Sequence, residues 1–339
     1  MDVLSDVLSA VRLTGAVFFD IDAGDPWVGE SPGTAELAAA IMPAAEHVIS
    51  FHIVLAGGCW ANVSDSTDPP VWLNAGDVVV FPGGARNVLS SSPGARGPCN
   101  PLSMYYVPVN QSLPFEIIHG GNGPRRTRFV CGFLGCDMRP FNPLLSALPP
   151  MLSISASAGA FGIPELFAMA LAEGRGARAG SETVLAKLSE LMFVEVLRRH
   201  IEALPADARG WLAGLRDPQL SAVLRLIHSR PAEPWTLDRL ASDAGMSRSV
   251  LADRFLANMA VSPMQYLTRW RMHLASRRLE DPQISIGGAA AEVGYESEAA
   301  FSRAFKRQVG MPPGTWRRSG RERRTIQPVV SQLLDDEGL

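Results

Sequence analysis

The chain has 339 residues, enough for two domains that each bury a core of their own. Its net charge of −3 is unevenly distributed: residues 1–210 carry 13 basic and 20 acidic side chains, whereas residues 211–324 carry 18 basic and 11 acidic ones. The basic second part fits binding to a polyanion. No apolar run is long enough to span a bilayer, and the acidic N-terminus is unlike a secretory signal, so we predict a cytoplasmic protein with no membrane partner.

The first part of the chain is predicted to be mostly β-structure. Residues 2–13 have apolar residues at helical spacing and predict one short helix. From Gly15 to Leu134, short apolar runs alternate with clusters of glycine, proline, asparagine and aspartate, which is typical of a β-sandwich or small barrel. The proline-containing stretch 142–162 is predicted to be a linker.

A long amphipathic helix is predicted to follow this linker. Ser181 or Thr183 would cap its N-terminus, and Pro205 would lie beyond its end. Its apolar face is formed by Val184, Leu185, Leu188, Leu191, Met192, Val196 and Ile201. This face would pack either on the β-domain or against the same helix of a second chain.

The most informative pattern is a weak duplication between residues 236 and 309. In each copy a small residue, Ala241 or Ala290, stands four positions before a glycine, Gly245 or Gly294. The small side chain allows two helices to cross closely, and the glycine ends the first helix in a left-handed conformation. Each copy therefore predicts a helix-turn-helix unit.

The second helix of each unit has a predicted cap, a buried face and an outward face. Ser247 and Ser297 are expected to cap these helices. One side of each helix would be buried by apolar pairs spaced i,i+4: Leu251 with Phe255, and Phe301 with Phe305. The outward side chains are polar or small, which suits entry into a major groove, and they are the predicted DNA-contacting residues: Arg248, Ser249, Ala252, Asp253, Glu298, Ala299, Ser302, Arg303 and Lys306.

A helix of about eighteen residues, roughly 27 Å long, is predicted to separate the two units and to begin at Ser262-Pro263. Two major-groove entries on one face of DNA lie about 34 Å apart, so this spacer has a suitable length. Four arginines on it would each contact phosphate or simply be solvated: Arg269, Arg271, Arg277 and Arg278.

Residues 219–318 resemble the DNA-binding domain of the AraC/XylS family. The resemblance is strongest at Gly294-Tyr295-Glu296-Ser297, at 301–306 and at Gly310-Met311-Pro312-Pro313. It implies a seven-helix fold with two helix-turn-helix units, one asymmetric DNA half-site per chain, RNA polymerase as a partner and, usually, gene activation. One departure is that Ala252 and Asp253 stand where family members often carry longer donors. The first unit would then contact a thymine methyl or a cytosine amine rather than guanine, or would contribute little.

Residues 76–87 resemble the second cupin motif, with Asn87 in place of its histidine. At the first motif only His52 is in place, with Ser50 and Ala56 or Gly57 at other ligand positions. A divalent metal needs three or four such donors, so we expect no metal and no other cofactor. Residues 2–155 also resemble the cupin-type sensor of one branch of AraC-like regulators, through Phe51-His52, Gly58-Cys59-Trp60 and Cys131-Gly132-Phe133.

Five residues are candidates for sensing a signal. His47 and His52 would bind a small-molecule effector, unless each is simply a structural histidine. Cys59, Cys99 and Cys131 are candidates for oxidation if they are exposed, although a cysteine in an apolar strand, such as Cys131, is more often a small buried hydrophobe. The four cysteines form no CxxC pair, and disulfides are not expected in a reducing compartment.

These patterns predict a two-domain α+β protein: an N-terminal cupin-like β-barrel or sandwich with helices, and a C-terminal all-α domain with two helix-turn-helix units. The predicted ranges are 1–155 for the sensor, 156–210 for a helical linker or dimerisation region, 211–320 for the DNA-binding domain and 321–339 for a flexible tail. We expect a homodimeric, non-enzymatic transcription regulator that binds double-stranded promoter DNA and responds to an effector or a redox signal. Two alternatives are a cupin metalloenzyme fused to DNA-binding helices, which metal analysis would reveal, and an architectural nucleic-acid protein without an effector.

Overall fold

The computed structural model describes residues 2–43, 45–105, 114–138, 140–156, 163–176 and 179–319, so the predicted tail lies outside the described residues. The chain forms two compact units. The β-unit consists of Arg12–Asp137 and Leu148–Leu204. The helical unit combines the N-terminal stretch up to Val11 with Met138–Ala147 and the chain from Pro205 onward. This grouping differs from the predicted ranges at two points. The N-terminal stretch and residues 138–147, predicted as parts of the sensor, belong to the helical unit, and residues 156–204, predicted as a linker or dimerisation region, belong to the β-unit.

The β-unit contains two sheets. Its strands are β1 (Thr14–Gly24), β2 (Val28–Ser31), β3 (His47–Ala56), β4 (Gly58–Val63), β5 (Val71–Asn74), β6 (Val78–Phe81), β7 (Asn87–Ser90), β8 (Phe115–Gly120), β9 (Arg126–Cys136) and β10 (Leu152–Ile154). The larger sheet has the order β10-β6-β3-β9-β1-β8 and is antiparallel except where β1 meets β8. The smaller sheet has the order β2-β7-β4-β5. The predicted β-rich first part of the chain is confirmed.

The helices are α1 (Val3–Ala10), α2 (Thr34–Ile41), α3 (Pro143–Ala147), α4 (Ile163–Gly176), α5 (Ser181–Ala203), α6 (Trp211–Arg216), α7 (Pro218–Ser229), α8 (Leu237–Asp243), α9 (Arg248–Met259), α10 (Pro263–Arg278), α11 (Ile286–Glu292) and α12 (Glu298–Val309), and residues 313–319 at the end of the described chain are helical as well. A short 3-10 helix spans Leu102–Tyr105. Of the helices described, none has both the length and the apolar character needed to cross a bilayer. The stretch 142–162, predicted as a linker, contributes α3 and edge strand β10 within its described part.

The two faces of β3 explain its long apolar run. Phe51 and Ile53 pack with Met192 of α5, whereas Val54 on the other face belongs to the core that also includes residues of the smaller sheet. Side chains alternate between faces along a strand, so a strand covered on both sides is apolar throughout. The larger sheet is thus covered by α5 on one face.

Helix α5 packs on the β-unit, as one of the two predicted alternatives had it. Two residues of its predicted apolar face are exposed, however: Val184 by 40% and Leu191 by 53%. The predicted serine or threonine cap is wrong. Gly180, at φ 86°, occupies the cap position, while Ser181 is the first helical residue and donates to Glu173 Oε1 at 2.8 Å.

The helical unit is centred on the buried side chain of Tyr266. Its hydroxyl accepts a hydrogen bond from Trp211 Nε1 at 2.8 Å and lies 3.0 Å from His228 Nε2. Its ring meets Phe141 and Phe255 edge to face, with centroids 5.6 and 5.7 Å apart. Tyr266 therefore connects α6, α7, α9 and α10 with the stretch 138–147.

The predicted N-terminal helix is confirmed as α1, and it belongs to the helical unit. Val3 and Val7 are buried, and the helix packs on α7. At its C-terminus, the carbonyl of Ala10 accepts hydrogen bonds from His273 Nε2 at 3.2 Å and from Arg277 Nη1 at 2.9 Å. These donors lie on α10, so α1 is held on the helix that separates the two helix-turn-helix units.

In the β-unit, the strand that follows α1 and the strand that precedes residues 138–147 are neighbours in the larger sheet. Thr14 of β1 pairs with Gly135 of β9. Just beyond this pair, Arg12 Nε lies 2.7 Å from Asp137 Oδ2. The chain thus enters β1 and leaves β9 at adjacent points joined by an ion pair.

We predict that Val7→Ala lowers the free energy of unfolding by about 2 kcal/mol, because it removes two buried methyl groups and leaves a cavity. Urea unfolding of the full chain measures this. The control is Ser9→Ala on the exposed side of the same helix, which should change the value by less than about 0.5 kcal/mol. Equal stability of the two variants would show that α1 is not part of the core.

A second prediction concerns pH. Burial lowers the pKa of His228 to about 3, so its imidazole is neutral in the folded chain, whereas the unfolded chain takes up a proton near pH 6.5. The unfolded state therefore binds more protons between these values, and the free energy of unfolding falls as pH is lowered. When the pH is lowered from about 7.5 to 5, the free energy of unfolding of His228→Gln, measured in urea, should fall by about 2 kcal/mol less than that of the wild type. Parallel pH profiles for the two proteins would rule out this role of His228.

Candidate DNA-reading helices and ligand cavity

Two helix-turn-helix units lie in the helical unit, α8 with α9 and α11 with α12. An equivalent backbone hydrogen bond occurs in each turn: Met246 N donates to Ala241 O, and Tyr295 N donates to Ala290 O, both at 2.9 Å. Both alanines are buried, as close crossing of helices requires. The predicted duplication is therefore a structural repeat.

The two turn glycines adopt the conformation predicted for them. Gly245 has φ 68° and Gly294 has φ 80°, in the left-handed region that side chains with a Cβ reach only at a cost. Gly294 has a second reason to be glycine, since a Cβ there would overlap the carbonyl oxygen of Ala232. These glycines set the angle at which each second helix leaves its turn.

The second helices are capped and anchored as predicted. Ser247 accepts from Val250 N at 3.3 Å, and Ser297 accepts from Ala300 N at 3.4 Å. The predicted apolar pairs are fully buried: Leu251 with Phe255, and Phe301 with Phe305. This anchoring fixes which side of α9 and of α12 faces outward.

All nine predicted DNA-contacting side chains reach the surface. Ala252 and Ser302 are half-buried, and the others are exposed: Arg248, Ser249, Asp253, Glu298, Ala299, Arg303 and Lys306. They form two groups, one on α9 and one on α12. No interaction joins the first group to the second among the described residues.

The two groups differ in charge. On α9, Arg248 lies 3.7 Å from Asp238, and Asp253 adds a negative charge. On α12, Arg303 and Lys306 are exposed, and within the described part of the chain neither forms an ion pair. The outward face of α12 is therefore the more cationic of the two.

Two apolar residues of α9 were missed in the sequence analysis. Leu256 is 55% exposed and Val250 is 44% exposed. Leu256 stands seven positions after Ser249 and three after Asp253, so helical periodicity already placed it on the predicted outward face. Apolar side chains at such positions contact thymine methyl groups in other DNA-reading helices.

The spacer helix α10 has 16 residues, slightly fewer than predicted, and a length of roughly 24 Å. Its arginines mostly brace the helical unit. Arg271 donates to the carbonyls of Pro231 and Glu233, both at 2.7 Å, and Arg278 pairs with Glu292. Since Arg277 is held by α1, at least these three are engaged within the protein.

A cavity lies between the two sheets of the β-unit, with an empty volume of about 490 Å³ including its mouth. Its wall is mainly apolar and includes Phe19, Ile21, Leu89, Ile117, Phe129 and Phe133. Met104 and Tyr105, from the 3-10 helix, form another part of the wall. The Tyr105 hydroxyl already has partners, Ser31 Oγ at 3.1 Å and Asn100 Nδ2 at 3.4 Å.

His52 is the most informative polar group of this wall. Its Nδ1 lies 2.8 Å from Cys131 Sγ, and its Nε2 has no hydrogen-bond partner among the described residues. Burial lowers the pKa of His52 to about 4, and the adjacent Asn87 only partly opposes this. The imidazole is therefore neutral near pH 7.

The three residues at the cupin ligand positions come together in space. Asn87 Nδ2 lies 3.3 Å from Ser50 Oγ, and both side chains are buried close to His52. One neutral imidazole, one hydroxyl and one amide do not fit a divalent metal, which prefers imidazoles, carboxylates or thiolates in larger number. Within the described residues, no group of three or more histidine, cysteine or acidic side chains could hold such an ion.

Of the remaining signal candidates, Cys131 belongs to the cavity wall, whereas His47, Cys59 and Cys99 are not among its lining residues. His47 Nε2 donates to the carbonyl of Pro82 at 2.6 Å, which gives it a structural partner. Cys59 is buried, and burial raises its pKa to about 12. Burial also raises the pKa of Cys131, so neither thiol is an accessible thiolate. Cys99 is exposed, but its pKa is also raised.

Comparison with known proteins assigns the part of the chain that contains the cavity and the part that contains the helix-turn-helix units to two known families. Residues 2–202 match the cupin family, and residues 240–319 match the helix-turn-helix domain family. A putative AraC-like transcription regulator of Streptomyces lividans is 33% identical over 324 residues, which cover 94% of this chain and 98% of that protein. The transcriptional regulator AlkR of Acinetobacter baylyi is 30% identical, covering 94% of this chain and 99% of that protein.

Among solved structures, the DNA-binding domain of the global transcriptional factor AdpA, crystallised with a target DNA, is 30% identical with a TM-score of 0.30. It corresponds to 32% of this chain and to 96% of that domain. The full-length relatives and the two family matches decide the assignment. The chain therefore belongs to the AraC-like family of transcription regulators and is a DNA-binding regulator with a cupin domain ahead of its helix-turn-helix region.

Proposed function

We propose that this regulator binds promoter DNA by placing α9 and α12 in successive major grooves. The observation that carries the proposal is the repeated turn geometry, which anchors both helices on buried aromatic or leucine side chains and leaves polar or small residues outward. Such faces allow close approach to base edges. The spacer helix α10 is roughly 24 Å long, of the same order as the spacing of about 34 Å between two major-groove entries on one face of DNA.

The second reading helix carries most of the electrostatic affinity in this proposal. Arg303 and Lys306 donate to a guanine edge or to phosphate, and Ser302 lies beside Arg303 on the same helix. Ala299 allows the backbone to approach, while Glu298 accepts from a cytosine amine. The helix thus combines base reading with phosphate anchoring.

The first reading helix is proposed to select bases with less charge. Asp253 accepts from a cytosine amine, and Ala252 and Leu256 contact thymine methyl groups. Ser249 donates to or accepts from a base edge, and Arg248 binds phosphate. The site read by α9 therefore differs in sequence from the site read by α12.

The β-unit is proposed to control DNA binding through a small-molecule effector in its cavity, without enzymatic activity of its own. Burial and raised pKa values disfavour oxidation of Cys59 and Cys131. The exposed Cys99 has a raised pKa as well and is not a lining residue of the cavity, so we favour an effector over a redox signal. The poor fit of Ser50, His52 and Asn87 to a metal disfavours the metalloenzyme alternative. We further propose a homodimer that activates transcription by contacting RNA polymerase, in the cytoplasm, where promoter DNA is found.

The test is Arg303→Ala in the full chain, measured on duplex DNA selected by the wild type from a random-sequence pool. Binding should weaken by about 1–3 kcal/mol, because one charge-assisted contact in the groove is lost. Arg198→Ala, which removes an exposed arginine of the β-unit, is the charge-matched control and should leave affinity unchanged.

Salt titration separates the two roles of Arg303. If it reads a base, the loss is confined to the selected sequence; if it binds phosphate, affinity falls on all sequences and the salt dependence becomes shallower by about one unit. Equal affinity of the Arg303 and Arg198 variants for the selected DNA would show that α12 does not enter the groove as proposed.

A further inference from the structure

We infer that the cavity of the β-unit binds an uncharged, largely apolar molecule whose one hydrogen-bonding group is met by His52. This inference rests on the proposed function only in treating the ligand as an effector. Three independent features support it: the way charges are kept off the cavity wall, the unpaired atom of His52, and a glycine that leaves space where a side chain would project.

Charged residues are present on the strands that form the cavity, but they face away from it. Phe19 and Ile21 line the cavity, so Asp20 of the same strand lies on the opposite face, where it pairs with Arg128 at 2.5 Å. Asp22, the next residue on that face, pairs with Arg126.

Strand β2 repeats this arrangement. Gly29 and Ser31 line the cavity, whereas Glu30 between them is buried on the other face and pairs with Arg96 at 2.7 Å. Among the described residues, no aspartate, glutamate, lysine or arginine belongs to the cavity wall, and its one histidine, His52, is neutral near pH 7. A charged ligand would therefore lose its hydration without gaining a counter-charge, which disfavours it strongly.

His52 supplies the polar end of the site. It is buried, it belongs to the cavity wall, and its Nδ1 is occupied by the Cys131 thiol. The Asn87 amide lies close enough to the ring to oppose the lowering of its pKa, but Nε2 makes no hydrogen bond of normal geometry to any described residue. Buried polar atoms are nearly always paired, so an unpaired one beside a cavity indicates where a ligand group binds. A hydroxyl fits either tautomer of the ring, because it both donates and accepts.

Gly29 provides space for the apolar part of the ligand. A Cβ built on Gly29 would meet only the carbonyl oxygen of Leu89, at 4.0 Å. Because Gly29 lies on the same strand face as Ser31, a larger side chain there would project toward the cavity. A Cβ at this position thus meets no steric obstacle, and we expect the side chain of Gly29→Val to extend into the space for the ligand.

The first experiment measures binding of three naphthalene probes to the full chain by fluorescence anisotropy. The probes carry a hydroxyl, a carboxylate or an aminomethyl group, so that the ring is constant and only the head changes. Naphthol should bind saturably and at least about tenfold more tightly than the two charged probes. Gly29→Val should weaken naphthol binding by at least about tenfold. The matched control is Gly83→Val, at a turn outside the cavity wall where a Cβ meets no atom within 4 Å, and it should bind normally.

The second experiment tests the role of His52 with two amides. His52→Gln places a hydrogen-bonding atom near the position of Nε2, whereas His52→Asn reaches only as far as Nδ1. Naphthol should bind His52→Asn about three- to tenfold more weakly than His52→Gln, the range expected for one hydrogen bond. Naphthalene, which has no hydroxyl, should bind both variants equally.

Three results would overturn the inference: naphthoate binding as tightly as naphthol, unchanged naphthol affinity in Gly29→Val, or no saturable binding of any probe. Circular dichroism of each variant establishes that it is folded before its affinity is compared. Since these measurements record ligand binding and contain no DNA, they remain separate from the Arg303 test. A chain that binds naphthol but not promoter DNA would contradict the proposed function alone.

Discussion

Burying the Tyr266 side chain requires that its hydroxyl keep hydrogen-bond partners after water has been excluded. Trp211 and His228 meet this need, from α6 and α7 respectively. Because Phe255 of α9 packs against the same ring, the hydrogen bonds that fix the Tyr266 side chain also support the position of α9. Helix α10, which carries Tyr266, also packs against α11 and α12 through Met272, Ala275 and the adjoining Leu279, so one helix supports both helix-turn-helix units. An unpaired hydroxyl in this place would destabilise the arrangement more than loss of one apolar contact.

In the β-unit, charged side chains likewise keep partners, and they lie on the strand faces that point away from the cavity. Its strands place acidic and apolar residues at alternate positions, and the pleat assigns them to opposite faces. Asp20 and Glu30 are thereby paired with arginines outside the cavity, while the inner face keeps only neutral polar groups such as His52. The fold of the cupin family is retained here with an interior that suits an apolar molecule better than an ion.

Features that depend on a short stretch of chain, such as turns and helix faces, were predictable from the sequence. Contacts between residues that are distant in the sequence were not. Gly245 and its duplicate fix turns through their own backbone, so spacing alone revealed both helix-turn-helix units. Val7 was correctly placed on an apolar helix face, but periodicity states that a face is buried and not what covers it. The spacing likewise could not show that Arg277 is held by backbone carbonyls or that Cys59 is buried. For the cavity, the motif located His52 and Asn87, whereas the glycine at position 29 gave no sequence signal, because its meaning depends on the opposite strand.

The division of the helical unit among three stretches of chain limits how such a regulator can be recombined. Its family match begins only at residue 240, yet α1 and the stretch around Phe141 complete the same core. A chimera that joined residues from 205 onward to a foreign sensor would lose both. Exchange of sensors among relatives would then have to preserve the two ends marked by Arg12 and Asp137, where strands β1 and β9 lie side by side. In chain order, most of the β-unit therefore lies between segments of the helical unit, so no single cut in the chain separates the two units.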